Sequence, residues 1–293
     1  MLDRPAAPVT RVVTDSTACL PTSLSGDDPA APVVVPLRVH AGDDELREGI
    51  DVTPAEVADR IAAGQRLTTS QPAPEDFAQV FRDLAAGGAR AVVSVHLSGE
   101  LSGTLGAAEH AGQRAMVPVR VVDSRTVAMA LGFAAQEAAR CAAAGGDADH
   151  VAARAVEVAA SSETMFLVDS LDHLRRGGRL SAPAAAIGSA LGVRPLLGMR
   201  DGRIELVQRV RTRKGATDRL VEHALRRATA CERPGVAVHH LGAQERAEAV
   251  ADALRSRLGV EPVVTPVSAV LGAHAGPGAL AVVVAELGGH VHA

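Results

Sequence analysis

Through its first half this chain alternates short apolar runs with longer segments that carry helix signals, and few folds accept such a pattern. Residues 11–14 read as a buried strand that ends in the polar loop Asp15-Ser16-Thr17. The stretch 51–64 opens a helix, with Thr53 placed to cap it, Pro54 directly after and Glu56 three residues beyond Thr53, the arrangement of a capping box. A second helix is expected over 72–88, stopped by Gly87-Gly88. A strand over 89–97, a polar loop opening a helix over 98–115, a strand over 117–124 and a helix over 125–146 follow. Repeated strand–helix units imply a parallel sheet covered on both faces.

Residues 147–160 read as a bridging helix. Beyond it come a strand at 164–170, a short helix ending at Gly177-Gly178, and a small-residue helix over 182–190. Two apolar runs flank Asp201-Gly202, which signals a tight hairpin, and helix, strand, helix and strand then follow to residue 285. A hairpin among α/β units implies a mixed sheet. The expected organisation is an N-terminal parallel-sheet α/β/α domain over 1–160 and a C-terminal mixed-sheet α/β domain over 161–293, with a ligand site between them.

Composition narrows the ligand. The 293 residues include no Trp or Tyr and only four Phe (Phe77, Phe81, Phe133, Phe166), so any core or pocket is aliphatic. Nucleobases are usually read by stacking on aromatic rings, which argues against nucleic acid. Three scattered cysteines (Cys19, Cys141, Cys231) give neither a disulfide framework nor metal spacing, and a cytoplasmic location is expected. The longest apolar run, 279–285, is far too short to span a bilayer. Between His173 and Arg219, ten arginines and Lys214 face Asp201, Glu205 and Asp218, a net +8 in a chain of net −4. Such a stretch is either a solvated face or a docking surface for an anionic partner.

Polar residues gather in four loops at expected strand ends: Asp15-Ser16-Thr17, Thr68-Thr69-Ser70-Gln71, 98–104 and Asp123-Ser124. Helix capping alone accounts for any one of them. A fifth feature is His274, expected in a Gly/Pro turn (Ala275, Gly276, Pro277, Gly278) that enters the last apolar run. No GxGxxG, phosphate-binding loop with Lys and Ser/Thr, HExxH or CxxC occurs. A hydrolase would use Ser102 and His274 with Asp15 or Asp123, but "SGELSGT" is not a nucleophile elbow.

Taken together, "VTDSTACLP", "TTSQPAPEDF", "LSGTLGAAEHA", "VVDSRTVAMALG", "LDHLRRGGRLS", "ALGVRPLLGMRDGRI" and "HAGPGAL" occur in an order and spacing that resembles the DegV family, over about residues 11–285. These proteins are similar to the fatty-acid-binding subunits of bacterial fatty acid kinase. The resemblance implies a long-chain fatty acid as ligand and no cofactor. It places the carboxylate on Thr69 or Ser70, Ser102 and His274, with Asp15, Ser16, Gly103, Thr104 and Gly276 in the supporting loops. Hydroxyl and imidazole donors suit a carboxylate that must also be released. For the tail, each buried methylene contributes about 0.8 kcal/mol; its walls are expected at 184–191 and 193–197. Leu105 and Gly106 stand where the family often carries an aromatic, which leaves the width of the pocket open.

The resemblance further implies a carrier acting with a separate ATP- and Mg²⁺-binding kinase subunit, which would convert the fatty acid to an acyl phosphate. The basic stretch would dock that subunit or an anionic membrane surface through Arg179, Arg209 and Arg211. Two other readings stay open: the Ser/His hydrolase, and a small-molecule enzyme resembling the ligand-binding subunit of dihydroxyacetone kinase, which predicts a short polar ligand in a closed pocket.

Overall fold

The computed structural model describes residues 9–21, 31–180 and 194–288. The small-residue helix expected at 182–190 and the tail wall expected at 184–191 lie outside them.

In the first half, β1 (Thr10–Asp15), β2 (Val33–Val35), β6 (Ala91–His96) and β7 (Val119–Asp123) form a four-stranded sheet in the order β2-β1-β6-β7. Every pair is parallel, as the strand–helix alternation requires. Successive strand residues face opposite sides. Val13 and Val92 pack under α2 (Pro74–Ala86) and α3 (Thr104–Gly112), with Phe77 and Phe81 filling that layer. Val12 and Val93 face the other way, onto α4 (Met129–Ala143) and α5 (Ala148–Ser161).

The second half supplies β8 (Glu163–Leu167), β9 (Arg194–Arg200), β10 (Arg203–Val210), β11 (Pro234–His240), β12 (Val263–Pro266) and β13 (Leu280–Glu286). They form one sheet, in the order β10-β9-β8-β13-β11-β12. Only β11–β12 is parallel, so the sheet is mixed. Met165, Val282 and Val284 lie beneath α7 (Arg213–Thr229) and α8 (Gln244–Leu258). Val283 and Ala285 turn inward to the α4–α5 layer. One apolar core therefore runs from Val12 and Val93, through Met129 and Ala134, to Ala237 and Val283.

Local signals match the observed ends. The Thr53 hydroxyl accepts the Glu56 N–H at 3.3 Å and the Glu56 carboxylate accepts the Thr53 N–H at 2.7 Å, opening α1 (Pro54–Ala62). At the β9–β10 turn Asp201 and Gly202 both take positive φ, 49° and 81°, as a two-residue type I′ hairpin demands. That tip reaches the first half. Ser98 Oγ donates to the Gly202 carbonyl at 2.7 Å, and Arg125 Nη2 donates to the Asp201 carbonyl at 2.7 Å.

Two expectations need correction. Residues 68–70 are not a loop: β5 (Leu67–Ser70) pairs antiparallel with β3 (Arg38–Ala41), which also pairs with β4 (Asp44–Arg47) in a separate three-stranded sheet. His274 is not in the Gly/Pro turn either. It occupies the last turn of α9 (Ala269–Ala275), opened by the Ser268 hydroxyl and closed by Gly276 at φ 78°.

Candidate functional site

Between the inner face of the six-stranded sheet, α9 and the ends of the first-half elements lies a cavity of about 300 Å³. Most of its wall is aliphatic. Leu37, Leu97 and Leu101 come from the first half, Phe166, Met199 and Ile204 from the sheet, and Val270 and Leu271 from α9. Of the wall expected at 193–197, residue 193 lies outside the described residues. Leu196 packs under α7 and Leu197 beside Val168 and Leu174, neither of them lining the cavity, and Met199 lines it instead. Strand alternation turns Leu196 to the outer face. Leu105 does not line the cavity; it lies by Gly99.

One part of the wall is polar, and it gathers side chains from distant segments. Thr69, Ser70 and Gln71 come from the end of β5, Ser102 and Gly103 from the loop before α3, His274 from α9, and Arg179 from beyond α6 (Asp172–Gly177). All four residues assigned to the carboxylate by resemblance thus share one cavity. Thr69 Oγ1 and His274 Nε2 are 2.8 Å apart, Ser70 Oγ meets His40 Nε2 at 2.8 Å, and Ser102 Oγ meets Thr104 Oγ1 at 2.9 Å. Burial pushes the His274 imidazole down to about 4, helped by the charges of Arg179 and His173. At neutral pH the ring therefore carries one N–H donor and one acceptor. Where its N–H faces Thr69, the threonine hydroxyl proton is free to donate into the cavity. A Cβ on Gly103 would stand 1.9 Å from Gln71 Oε1, so only glycine lets that amide lie against the loop.

The supporting residues form a layer behind this wall. Asp15, fully buried, accepts from the Thr17 N–H, from His96 and from the Leu97 N–H at 3.0 Å each, and so fixes the strand end that presents Leu97. Ser16 Oγ donates to Glu48 at 2.6 Å and accepts the Leu37 N–H at 3.0 Å. Thr104 is buried beneath Ser102, with its N–H 3.3 Å from the Ser102 hydroxyl. Arg179, assigned to docking by the sequence reading, is half-buried. Its Nε donates to the Leu101 carbonyl at 3.0 Å, its Nη1 donates to the Gly177 carbonyl, and it lines the cavity. Arg209 and Arg211 are exposed, on and just past the edge strand β10.

The residues of the hydrolase reading are each engaged elsewhere: His274 with Thr69, Ser102 with Thr104, Asp15 with His96, and Asp123 with the Arg125 N–H at 2.8 Å. A Ser–His–Asp chain does exist, from Ser94 Oγ to His96 Nε2 at 2.7 Å and from His96 Nδ1 to Asp15 at 3.0 Å. All three side chains have zero exposure, and Phe77 packs edge-on against the imidazole. It is a buried brace between β1 and β6, closed to any substrate.

The family model described as "Uncharacterised protein, DegV family" matches residues 9–287. The chain belongs to the DegV family. It is 48% identical over 277 residues to a DegV domain-containing protein of Streptomyces coelicolor, covering 94% of this chain and 98% of that one. Among solved structures it is similar to a fatty acid binding DegV family protein of Thermus thermophilus (TM-score 0.87, 32% identity, covering 94% of this chain and 99% of that one). It is also similar to DegV of Bacillus subtilis, a fatty acid binding protein (TM-score 0.86, 31% identity, covering 96% and 100%).

Sequence reasoning missed several wall residues of this DegV chain. Gln71 was named in the polar loop with Ser70 but not assigned to the site, and it lines the cavity. His239 and Thr164 carried no signal, since each reaches the cavity through its place in the six-stranded sheet. His239 accepts the Met129 N–H at 3.2 Å and donates to the Thr265 carbonyl at 3.2 Å, so its tautomer is fixed, and burial pushes it down to about 4.

Proposed function

We propose that this protein binds a long-chain fatty acid, with the alkyl chain in the cavity and the carboxylate on its polar wall. The observation that carries this reading is the pairing of a largely aliphatic cavity of about 300 Å³ with a hydroxyl–imidazole cluster at one part of the wall. Thr69 and His274 would be the principal contacts, with Ser70 and Ser102 beside them. Burying roughly fifteen methylenes gives about 12 kcal/mol before ordering costs, so the tail supplies most of the affinity. The head group then needs only orientation. Arg179 adds a positive charge at the wall while its bonds to Leu101 and Gly177 hold it in place. The fatty acid binding relatives from Thermus thermophilus and Bacillus subtilis support the same ligand class.

The finer reading is that the bound carboxylate is presented to a separate kinase subunit for conversion to an acyl phosphate. What supports it is the chemistry of the polar wall, whose hydroxyl and imidazole donors suit a carboxylate, with Ser102 bonded to Thr104. Arg209 and Arg211, exposed at the sheet edge, would contribute to docking.

Native mass spectrometry of the protein purified from a bacterial host tests the ligand. A stoichiometric adduct that organic extraction identifies as a fatty acid supports the reading. An apo mass that persists after incubation with oleate removes it. For docking, Arg209→Ala/Arg211→Ala should weaken acyl-phosphate formation in the presence of the kinase subunit and leave oleate uptake unchanged.

A further inference from the structure

Thr69 stands on β5 and His274 on α9, so their 2.8 Å contact requires two separate elements to be held at one distance. Contacts of that precision need rigid support behind them. Both elements lead back to Glu48, a buried residue directly after β4 that does not line the cavity.

On one side Glu48 seats the helix. Its Oε1 accepts the Ala269 N–H, the first of α9, while Ser268 Oγ accepts the Leu271 N–H at 3.1 Å beside it. First-turn N–H groups have no partner within their own helix, so these two acceptors fix where α9 begins. His274 lies five residues beyond Ala269, about 8 Å along the axis, and any shift of the first turn reaches it.

On the other side Glu48 holds the strands. Its N–H donates to the Leu37 carbonyl at 2.9 Å. Its Oε2 accepts the Ser16 hydroxyl at 2.6 Å, and Ser16 Oγ in turn accepts the Leu37 N–H at 3.0 Å. Both backbone groups of Leu37 are thus tied, immediately before β3. In the β3–β5 pair, Val39 lies opposite Thr69 and Arg38 opposite Ser70. No cation pairs with Glu48 among the described residues, and burial pushes its carboxyl up to about 7. Burying an unpaired carboxyl is costly; what it supplies here is acceptor capacity for a hydroxyl and a helix N–H at once.

We propose that Glu48 is a positioning residue of the carboxylate site, which sets the separation of Thr69 and His274 from behind the wall. The inference rests on the fatty acid reading and deepens it, because selectivity for a carboxylate then depends on a residue that no ligand touches.

The test offers the full-length protein an equimolar mixture of oleate and oleyl alcohol, the same chain without the carboxylate, and reads the ratio of the two adducts by native mass spectrometry. A general loss of packing lowers both adducts and leaves their ratio alone. Glu48→Ala should lower the oleate-to-alcohol ratio about tenfold. Glu48→Gln should restore it to within about twofold of wild type, since its amide oxygen accepts the Ala269 N–H and its amide nitrogen donates to Ser16. Should Glu48→Ala fail to fold, Ser16→Ala carries the test, and a ratio lowered at least threefold is expected. An unchanged ratio in the folded variant, or a Glu48→Gln ratio as low as that of Glu48→Ala, overturns the proposal while wild-type oleate uptake keeps the fatty acid reading. A wild-type protein that takes up no oleate overturns both.

Discussion

Gly177 lies against the imidazole of His274 so closely that a Cβ on it would stand 2.3 Å from Nδ1 and 2.9 Å from Cε1. The end of α6 thus presses the ring toward Thr69. Gly276 makes the converse contact, since a Cβ there would stand 2.6 Å from the ring of His173. Two glycines, one on each segment, set the distance between α6 and α9.

Gly177→Ala should therefore displace the imidazole and break its bond to Thr69. We expect oleate affinity to fall about tenfold, with a stability loss of roughly 1–3 kcal/mol from overpacking. Gly178→Ala is the control: Gly178 needs positive φ, 70°, but a Cβ on it would meet nothing within 4 Å. It should cost about 1 kcal/mol and leave affinity unchanged. Displacement of a fluorescent fatty acid and thermal melts separate the two outcomes.

Thr69→Val and His274→Ala remove opposite ends of one 2.8 Å hydrogen bond across the cavity wall. Each should weaken oleate binding, and the double variant should lose less than the sum of the two. A coupling of about 0.5–3 kcal/mol is expected in a double-mutant cycle read by calorimetry. Strict additivity would show that the two side chains meet the ligand independently.

Stability should respond to pH through Glu48. Burial pushes its carboxyl up to about 7, although Ser16 and the Ala269 N–H both bond to it. Between the ordinary value of 4.5 and 7 the folded chain holds a proton that the unfolded chain has released. The contribution is whole below 4.5 and is lost as pH rises through 7, on the order of 3 kcal/mol. His239 and His274, lowered to about 4, act in the opposite sense and lose stability as pH falls from 6.5 toward 4. Comparing wild type with Glu48→Gln isolates the carboxyl: their difference in unfolding free energy should shift against the wild type as pH rises from 4.5 to 7, read by urea titration.

Ala128, at the start of α4 and on the cavity wall, holds φ 58° and ψ −150°. Side chains strain that backbone region, and β-branched ones most. Ala128→Val should cost more than about 2 kcal/mol, whereas Ala128→Gly should be close to neutral because relieved strain offsets the lost methyl and the gained chain entropy. Paired urea titrations check the asymmetry.

Sequence pattern recovered what short-range chemistry encodes. The Thr53–Glu56 box and the Asp201-Gly202 turn are decided by a handful of adjacent residues, and both form as read. The three-stranded sheet escaped because β4 is mostly exposed and charged, with Asp44, Glu45 and Arg47, and so shows no apolar alternation. The site is harder still. Thr69 and His274 are separated by 205 residues, and no local pattern predicts that they meet. The family motifs supplied that pairing, whereas the inward turn of Arg179 became visible only with the carbonyls of Leu101 and Gly177 around it.

The layer of α4 and α5 has a consequence for how ligand reaches the cavity. Its residues pack on the four-stranded sheet through Val12 and Val93 and on the six-stranded sheet through Ala237 and Val283. Hinging the halves apart would strip Met129, Leu131 and Ala134 of their neighbours all at once, at a free energy comparable to unfolding. On the proposed function, loading and release are expected to proceed by local displacement of the segments at the cavity rim, and the two sheets are expected to melt together as one calorimetric unit.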